Sequence, residues 1–118
     1  MTAGPITVLV VDDERELADL AEALLANHGF TVRVAYSAAE ALQVLDGGGA
    51  VDALFSDIMM PGKTGLELAD TVARSHPGMK IVLTSGYTSP ALLAGMDSNC
   101  QFVAKPYTID TVVRLLRS

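Results

Sequence analysis

The sequence predicts an α/β domain, a parallel sheet covered by helices on both faces. Three observations carry this. Five short apolar runs rich in β-branched residues recur along the chain, amphipathic stretches of helical period separate them, and each run ends in polar or turn punctuation. Right-handed crossovers then restrict the topologies open to the chain. At 118 residues, with no internal repeat, linker or low-complexity tract, residues 1–118 are expected to form one domain.

The elements follow in order. Ile6–Val11 is continuously apolar, as in a strand covered on both faces. Asp12 or Asp13 can cap a helix from about Glu14, whose stripe is Leu17, Leu20, Ala21, Leu24 and Leu25, and His28-Gly29 ends it. Phe30–Ala35 is a second strand. Ser37 caps a second helix, with Glu40 completing a capping box and Ala38, Ala41, Leu42 and Leu45 facing inward. Gly47-Gly48-Gly49 lacks the surroundings of a phosphate-binding loop and reads as a connection.

Ala53–Ser56 is the third strand and runs into Asp57, after which Pro61-Gly62 breaks the chain. A helix near Thr64 points Leu66, Ala69, Val72 and Ala73 inward and stops at Pro77-Gly78. Lys80–Thr84 is the fourth strand, broken at Ser85-Gly86. A short helix from Ser89-Pro90 carries Leu92, Leu93 and Met96, and Ala94-Gly95 weakens it enough to suggest a truncated or mobile element. Gln101–Ala104 is the fifth strand. The last helix runs from Thr108 with Ile109, Val112, Val113 and Leu116 inward.

Composition narrows the function classes. A formal charge of −6 argues against a non-specific nucleic-acid binder. Cys100 stands alone, which excludes an internal disulfide, fits a reducing compartment and reads as a small core hydrophobe. No segment approaches the apolar length of a membrane span, and Ile6–Val11 lacks the basic flank of a signal peptide. The expectation is a cytoplasmic domain without membrane contact. His28 and His76 end helices and read as charge-complementing termini rather than ligands.

In a parallel α/β sheet the functional crevice lies at the C-terminal strand ends. Those ends carry Asp12 and Asp13, then Asp57, Ser85 and Lys105; the second strand ends at Ala35-Tyr36 and offers no charge. In the strand order 2-1-3-4-5 the charged ends are neighbours. Two carboxylates about 4 Å apart at an effective dielectric near 20 repel by roughly 4 kcal/mol. Such a cluster needs a compensating cation or raised pKa values. Lys105 supplies one positive charge, and carboxylate and carbonyl oxygens suit Mg²⁺. A hydroxyl and an ammonium beside them would accept phosphate oxygens. The chemistry suggested is phosphoryl transfer onto a carboxylate and off it again.

Four segments, Val11-Asp12-Asp13-Glu14, the run from Asp57 through Pro61-Gly62-Lys63-Thr64-Gly65 to Glu67, Leu83-Thr84-Ser85-Gly86, and Val103-Ala104-Lys105-Pro106, together resemble the receiver domain of bacterial two-component response regulators. Each is weak alone; all four, in order and at strand ends, are specific. The resemblance covers essentially the whole chain and implies a flavodoxin-like (βα)₅ three-layer sandwich of order 2-1-3-4-5.

The resemblance implies that Asp57 is the phosphoacceptor. Asp13, Asp57 and the backbone carbonyl of Met59 would bind Mg²⁺ (or Mn²⁺), with Asp12 acting through a metal-bound water. Ser85 would hydrogen-bond the phosphoryl group, preferred over its neighbour Thr84 because Gly86 leaves room beside it. Lys105 would pair with a phosphoryl oxygen, its bond to Pro106 typically cis, and Phe102 stands at the aromatic switch position. Such a domain catalyses its own phosphorylation and dephosphorylation, although it is no enzyme in the ordinary sense. The partner implied is a histidine kinase or histidine phosphotransfer domain. A homodimer through the fourth helix, fifth strand and last helix is a further option. The Thr84-Ser85-Gly86-Tyr87 and Lys105-Pro106-Tyr107 runs look most like receivers at the C-terminus of hybrid sensor histidine kinases. The competing reading is a pseudo-receiver that is never phosphorylated and acts as an interaction module.

Overall fold

The computed structural model describes residues 5–86, 94 and 100–118. Five strands, β1 (Thr7–Val11), β2 (Thr31–Ala35), β3 (Ala53–Asp57), β4 (Lys80–Ser85) and β5 (Cys100–Ala104), form one parallel sheet of order β2-β1-β3-β4-β5. The helices between them are α1 (Arg15–Asn27), α2 (Ala38–Asp46) and α3 (Gly65–Ser75), and the C-terminal helix spans Ile109–Arg117. This is the flavodoxin-like architecture expected from the sequence. The helix predicted from Ser89, with its suggested mobility, lies outside the described residues.

Period-two alternation divides the sheet residues between two cores. Leu9, Val11, Leu54, Ile81 and Leu83 face α2 and α3, while Val8, Val10, Phe55 and Val82 face α1 and the C-terminal helix. β1 and β3 lie inside the sheet and are buried almost throughout, as their unbroken apolar runs demand. Cys100 opens β5, partly buried against the α2–α3 core, in keeping with its reading as a small hydrophobe.

Two helix starts depart from expectation. The residue capping α1 is Glu14, whose own side chain makes no capping bond; Asp12 instead accepts the Glu14 N–H at 2.9 Å. At α2 the Ser37 hydroxyl accepts the Glu40 N–H, but the Glu40 carboxylate accepts from Tyr36 rather than closing back on Ser37. The reciprocal capping box occurs at α3, between Thr64 and Glu67.

The phase of α1 also differs. Ala18, Ala21 and Leu25 are the buried residues, while Leu17 is 40% and Leu20 55% exposed, contrary to the inward stripe expected for both. Small alanines against the sheet let the helix approach closely and rotate the two leucines onto its flank. In α3, Leu68 is fully buried, and Leu66 and Ala73 are only partly so. At the C-terminus of α1, His28 Nδ1 lies 2.9 Å from the Leu24 carbonyl, and Gly29 takes φ +90° to leave the helix. His76 holds the corresponding place on α3.

At the junction of β3 with α3 the two backbones approach closely. Gly65 donates its N–H to the Ile58 carbonyl at 2.9 Å, and a Cβ at this position would lie 2.2 Å from the Asp57 carbonyl oxygen. The obstructing atoms are backbone and cannot rotate away. Gly65→Ala is therefore expected to destabilise the fold by about 1–3 kcal/mol, the usual cost of overpacking. A urea denaturation midpoint equal to that of the wild type would contradict this contact.

Candidate functional site

The register of the sheet determines which side chains meet. β1 and β3 pair Val11 with Ser56, so the residues that follow, Asp12 and Asp57, emerge side by side. β4 and β5 pair Ser85 with Ala104, and the Lys105 N–H then donates to the Ser85 carbonyl at 3.0 Å. Lys105 thus leaves β5 directed over the neighbouring strand tips.

Asp12, Asp13 and Asp57 each contribute a carboxylate oxygen to a cluster whose members lie within 4.8 Å of one another. Asp12 and Asp57 are buried and Asp13 is exposed. Asp12 divides its oxygens: Oδ1 accepts from the Glu14 N–H, and Oδ2 stands 3.7 Å from Lys105 Nζ. Lys105 Nζ reaches Asp57 Oδ2 at 3.4 Å. One ammonium therefore serves two buried carboxylates. The Lys105–Pro106 bond is cis, as the resemblance implied.

The charge balance is incomplete, and the pKa directions say so. Burial pushes the Asp57 carboxyl above its ordinary value. The Lys105 ammonium pulls it back, Asp12 raises it again, and a hydrogen bond from the Met59 backbone favours the ionised form without reversing the net rise. For Lys105, burial disfavours the ammonium most, yet Asp57 and Asp12 together hold its pKa above the usual lysine value. The three carboxylates supply hard oxygen donors at close quarters and fit a divalent cation of the Mg²⁺ type.

Ser85 and Phe102 lie on β4 and β5, and Met59 lies in the loop after β3. Ser85 is fully buried at the end of β4. Strand alternation sends it to the same side as Leu83, whereas Thr84 is in register with Asp57. Phe102 packs partly buried against the α2–α3 core rather than among the carboxylates. The Met59 side chain is 54% exposed beside Asp57.

Two features were given no function of their own in the sequence reading. Gly65 permits the close approach of α3 to the Asp57 carbonyl, and its signal was its place eight residues after Asp57 at a helix start. The second is a groove of about 600 Å³, walled by Leu17, Leu20, Leu24, Pro106, Tyr107 and Ile109, that opens onto Asp12 and Lys105. Tyr107 lies edge-on to Phe55, with ring centroids 5.5 Å apart, and burial is the main cause raising its phenol pKa. The rotation of α1 that exposes Leu17 and Leu20 creates this apolar wall.

Comparison with known proteins gives the same picture over nearly the whole chain. The family model of the response regulator receiver domain matches residues 8–117. The sensor kinase CckA of Brucella abortus is 34% identical over 110 residues, which cover 91% of this chain and 12% of that kinase. The regulatory protein VanR of Enterococcus faecium is 36% identical over 101 residues, covering 85% of this chain and 43% of VanR. The chain therefore spans less than half the length of these curated relatives. A response regulator receiver protein from Sinorhizobium medicae superposes with a TM-score of 0.87 at 28% identity, covering 97% of this chain and 96% of that one. The response regulator TrrA of Thermotoga maritima, in complex with Mg²⁺ and BeF, gives a TM-score of 0.82 at 29% identity, covering 95% and 96% of the two chains. With its acidic pocket of Asp12, Asp13 and Asp57 faced by Lys105, this chain belongs to the response regulator receiver domain family.

Proposed function

We propose that Asp57 is the phosphoacceptor and that its phosphoryl donor is a phosphohistidine on a histidine kinase or histidine phosphotransfer domain. The observation that carries this reading is the placement of Asp57 Oδ2 against Lys105 Nζ at 3.4 Å, with two further carboxylates in the same pocket. An Asp57 carboxylate oxygen attacks phosphorus, the P–O bond forms, the P–N bond breaks, and its electron pair returns to the imidazole. In dephosphorylation a water attacks the same phosphorus, the P–O bond to Asp57 breaks, and the carboxylate leaves as inorganic phosphate is released.

Each neighbour has a role in that exchange. Asp12, Asp13, Asp57 and the backbone carbonyl of Met59 would hold Mg²⁺ or Mn²⁺. When bound, the cation screens the carboxylates from one another and from the phosphoryl oxygens. Lys105 neutralises a phosphoryl oxygen, and the Ser85 hydroxyl hydrogen-bonds another. The aspartyl phosphate adds negative charge and acceptor oxygens, drawing in the loops after β4 and β5. Phe102 follows by packing further inward, which alters the surface formed by β5 and the C-terminal helix. That surface is the output face and a candidate homodimer contact.

The exposed Leu17 and Leu20, with the groove beside Lys105, offer an apolar seat for the histidine-bearing partner within reach of Asp57. The likeness to the CckA receiver region favours a hybrid-kinase origin, acting on the cytoplasmic side of the membrane. No described helix is long and apolar enough to cross a membrane.

Incubation with acetyl phosphate and Mg²⁺ is expected to add one phosphoryl group by intact mass. The gain disappears without Mg²⁺ and in Asp57→Asn. An unchanged mass in the wild type would favour the pseudo-receiver reading instead.

The raised pKa of Asp57 gives a second test. A carboxyl whose pKa is higher folded than unfolded holds its proton more tightly when folded. Its ionisation therefore lowers stability as pH rises above the unfolded value, and the loss is complete above the folded one. Asp57→Asn is accordingly expected to be more stable than the wild type at neutral pH in metal-free buffer. The difference should close as pH falls below the ordinary carboxylate range. An Asn variant less stable at neutral pH would show that the Lys105 pair outweighs burial.

A further inference from the structure

Among the described residues, the buried side-chain atoms without a hydrogen-bond partner are the Thr84 hydroxyl and the Gln101 carbonyl oxygen. Thr84 is only 3% exposed. Their places in the sheet are related. β4 and β5 pair Val82 with Gln101 and Thr84 with Val103. Val82 and Val103 pack on the side of α1 and the C-terminal helix, whereas Leu83 and Phe102 pack on the other. Alternation therefore directs Thr84 and Gln101 to the same side, as diagonal neighbours on adjacent strands.

On parallel strands about 4.8 Å apart, residues offset by two along the strand have Cα atoms roughly 8 Å apart. A glutamine side chain extended toward Thr84 narrows that gap to the span of one water making two hydrogen bonds of about 2.8 Å each. A water can donate to the amide oxygen while accepting from, or donating to, the hydroxyl, and buried waters typically have two to four polar partners. Two isolated orphans would each carry a desolvation penalty; a shared water removes both.

The pair also borders the acid pocket. Thr84 is in register with Asp57, its carbonyl accepts the Ile58 N–H at 2.9 Å, and the next residue, Ser85, accepts the Lys105 N–H. We propose that Thr84 and Gln101 bind one buried water that ties β4 to β5 beneath the strand ends carrying Ser85 and Lys105, and so holds these two in position for the chemistry at Asp57. The positioning role rests on the phosphoacceptor reading; the water site does not.

The test compares Thr84→Val, Thr84→Ser, Gln101→Leu and the Val/Leu double variant. A high-resolution crystal structure of the wild type is expected to show one water within hydrogen-bond distance of both side chains. Urea denaturation should find Thr84→Val and Gln101→Leu each less stable than the wild type, Thr84→Ser close to it, and the double variant losing less than the sum of the singles. The rate of acetyl phosphate uptake per folded molecule should fall several-fold in both singles and recover in Thr84→Ser. A Thr84→Val variant as stable as the wild type or more so, as deletion of a partnerless hydroxyl predicts, would overturn the water site. So would additive losses, or a direct contact between the two side chains in the crystal. Unchanged uptake rates would overturn the positioning role. Failure of the wild type itself to take up phosphoryl would instead overturn the phosphoacceptor reading, with the water site still judged by the crystal and by stability.

Discussion

A cluster of three carboxylates with one ammonium facing only two of them is the constraint around which this domain is arranged. Asp12 and Asp57 are buried beside each other, Asp13 joins them from the solvent side, and Lys105 faces both buried groups. Without a further cation the cluster is unfavourable at Asp57, where burial and the neighbouring Asp12 carboxylate outweigh what the lysine returns. The raised pKa of Asp57 expresses that imbalance at the residue placed to react. An arrangement that is uncomfortable with its own charges is receptive to a divalent cation, and through it to a phosphoryl group.

The scaffold's contribution is register. β1 and β3 are central, buried and paired so that Asp12 and Asp57 leave the sheet together. β4 and β5 carry Lys105 over them through a backbone bond to Ser85. Behind Asp57 the α3 helix starts so close to the strand tip that only glycine fits at position 65. The flank of α1 turns Leu17 and Leu20 outward next to the same pocket, which joins an apolar surface to a charged one.

Much of this was legible in the chain. The unbroken apolar runs identified the strands, and the polar residues at their ends identified Asp12, Asp13, Asp57 and Lys105, because in a parallel sheet those ends converge. What escaped the reading depends on helix rotation and on close contacts. Ala21 and Leu25 are buried as expected, but Leu17 fits a helical stripe as well as Ala18 does, and packing against the sheet takes the alanine and leaves Leu17 and Leu20 on the flank. Glu40 has the spacing of a capping-box residue, yet its carboxylate finds the Tyr36 N–H. The opposed directions of Thr84 and Ser85 follow from strand alternation, but only once the register with Asp57 is known.

The most direct test of the central electrostatic claim is the urea denaturation midpoint measured with and without Mg²⁺ at neutral pH, for the wild type and for Asp13→Asn. A cation that binds only the folded pocket stabilises it by mass action. The expected result is a midpoint that rises with Mg²⁺ concentration in the wild type and responds much less in Asp13→Asn. A wild-type midpoint indifferent to Mg²⁺ would mean that Lys105 alone balances the pocket, and the account of the site as a cation-dependent phosphoacceptor centre would be wrong.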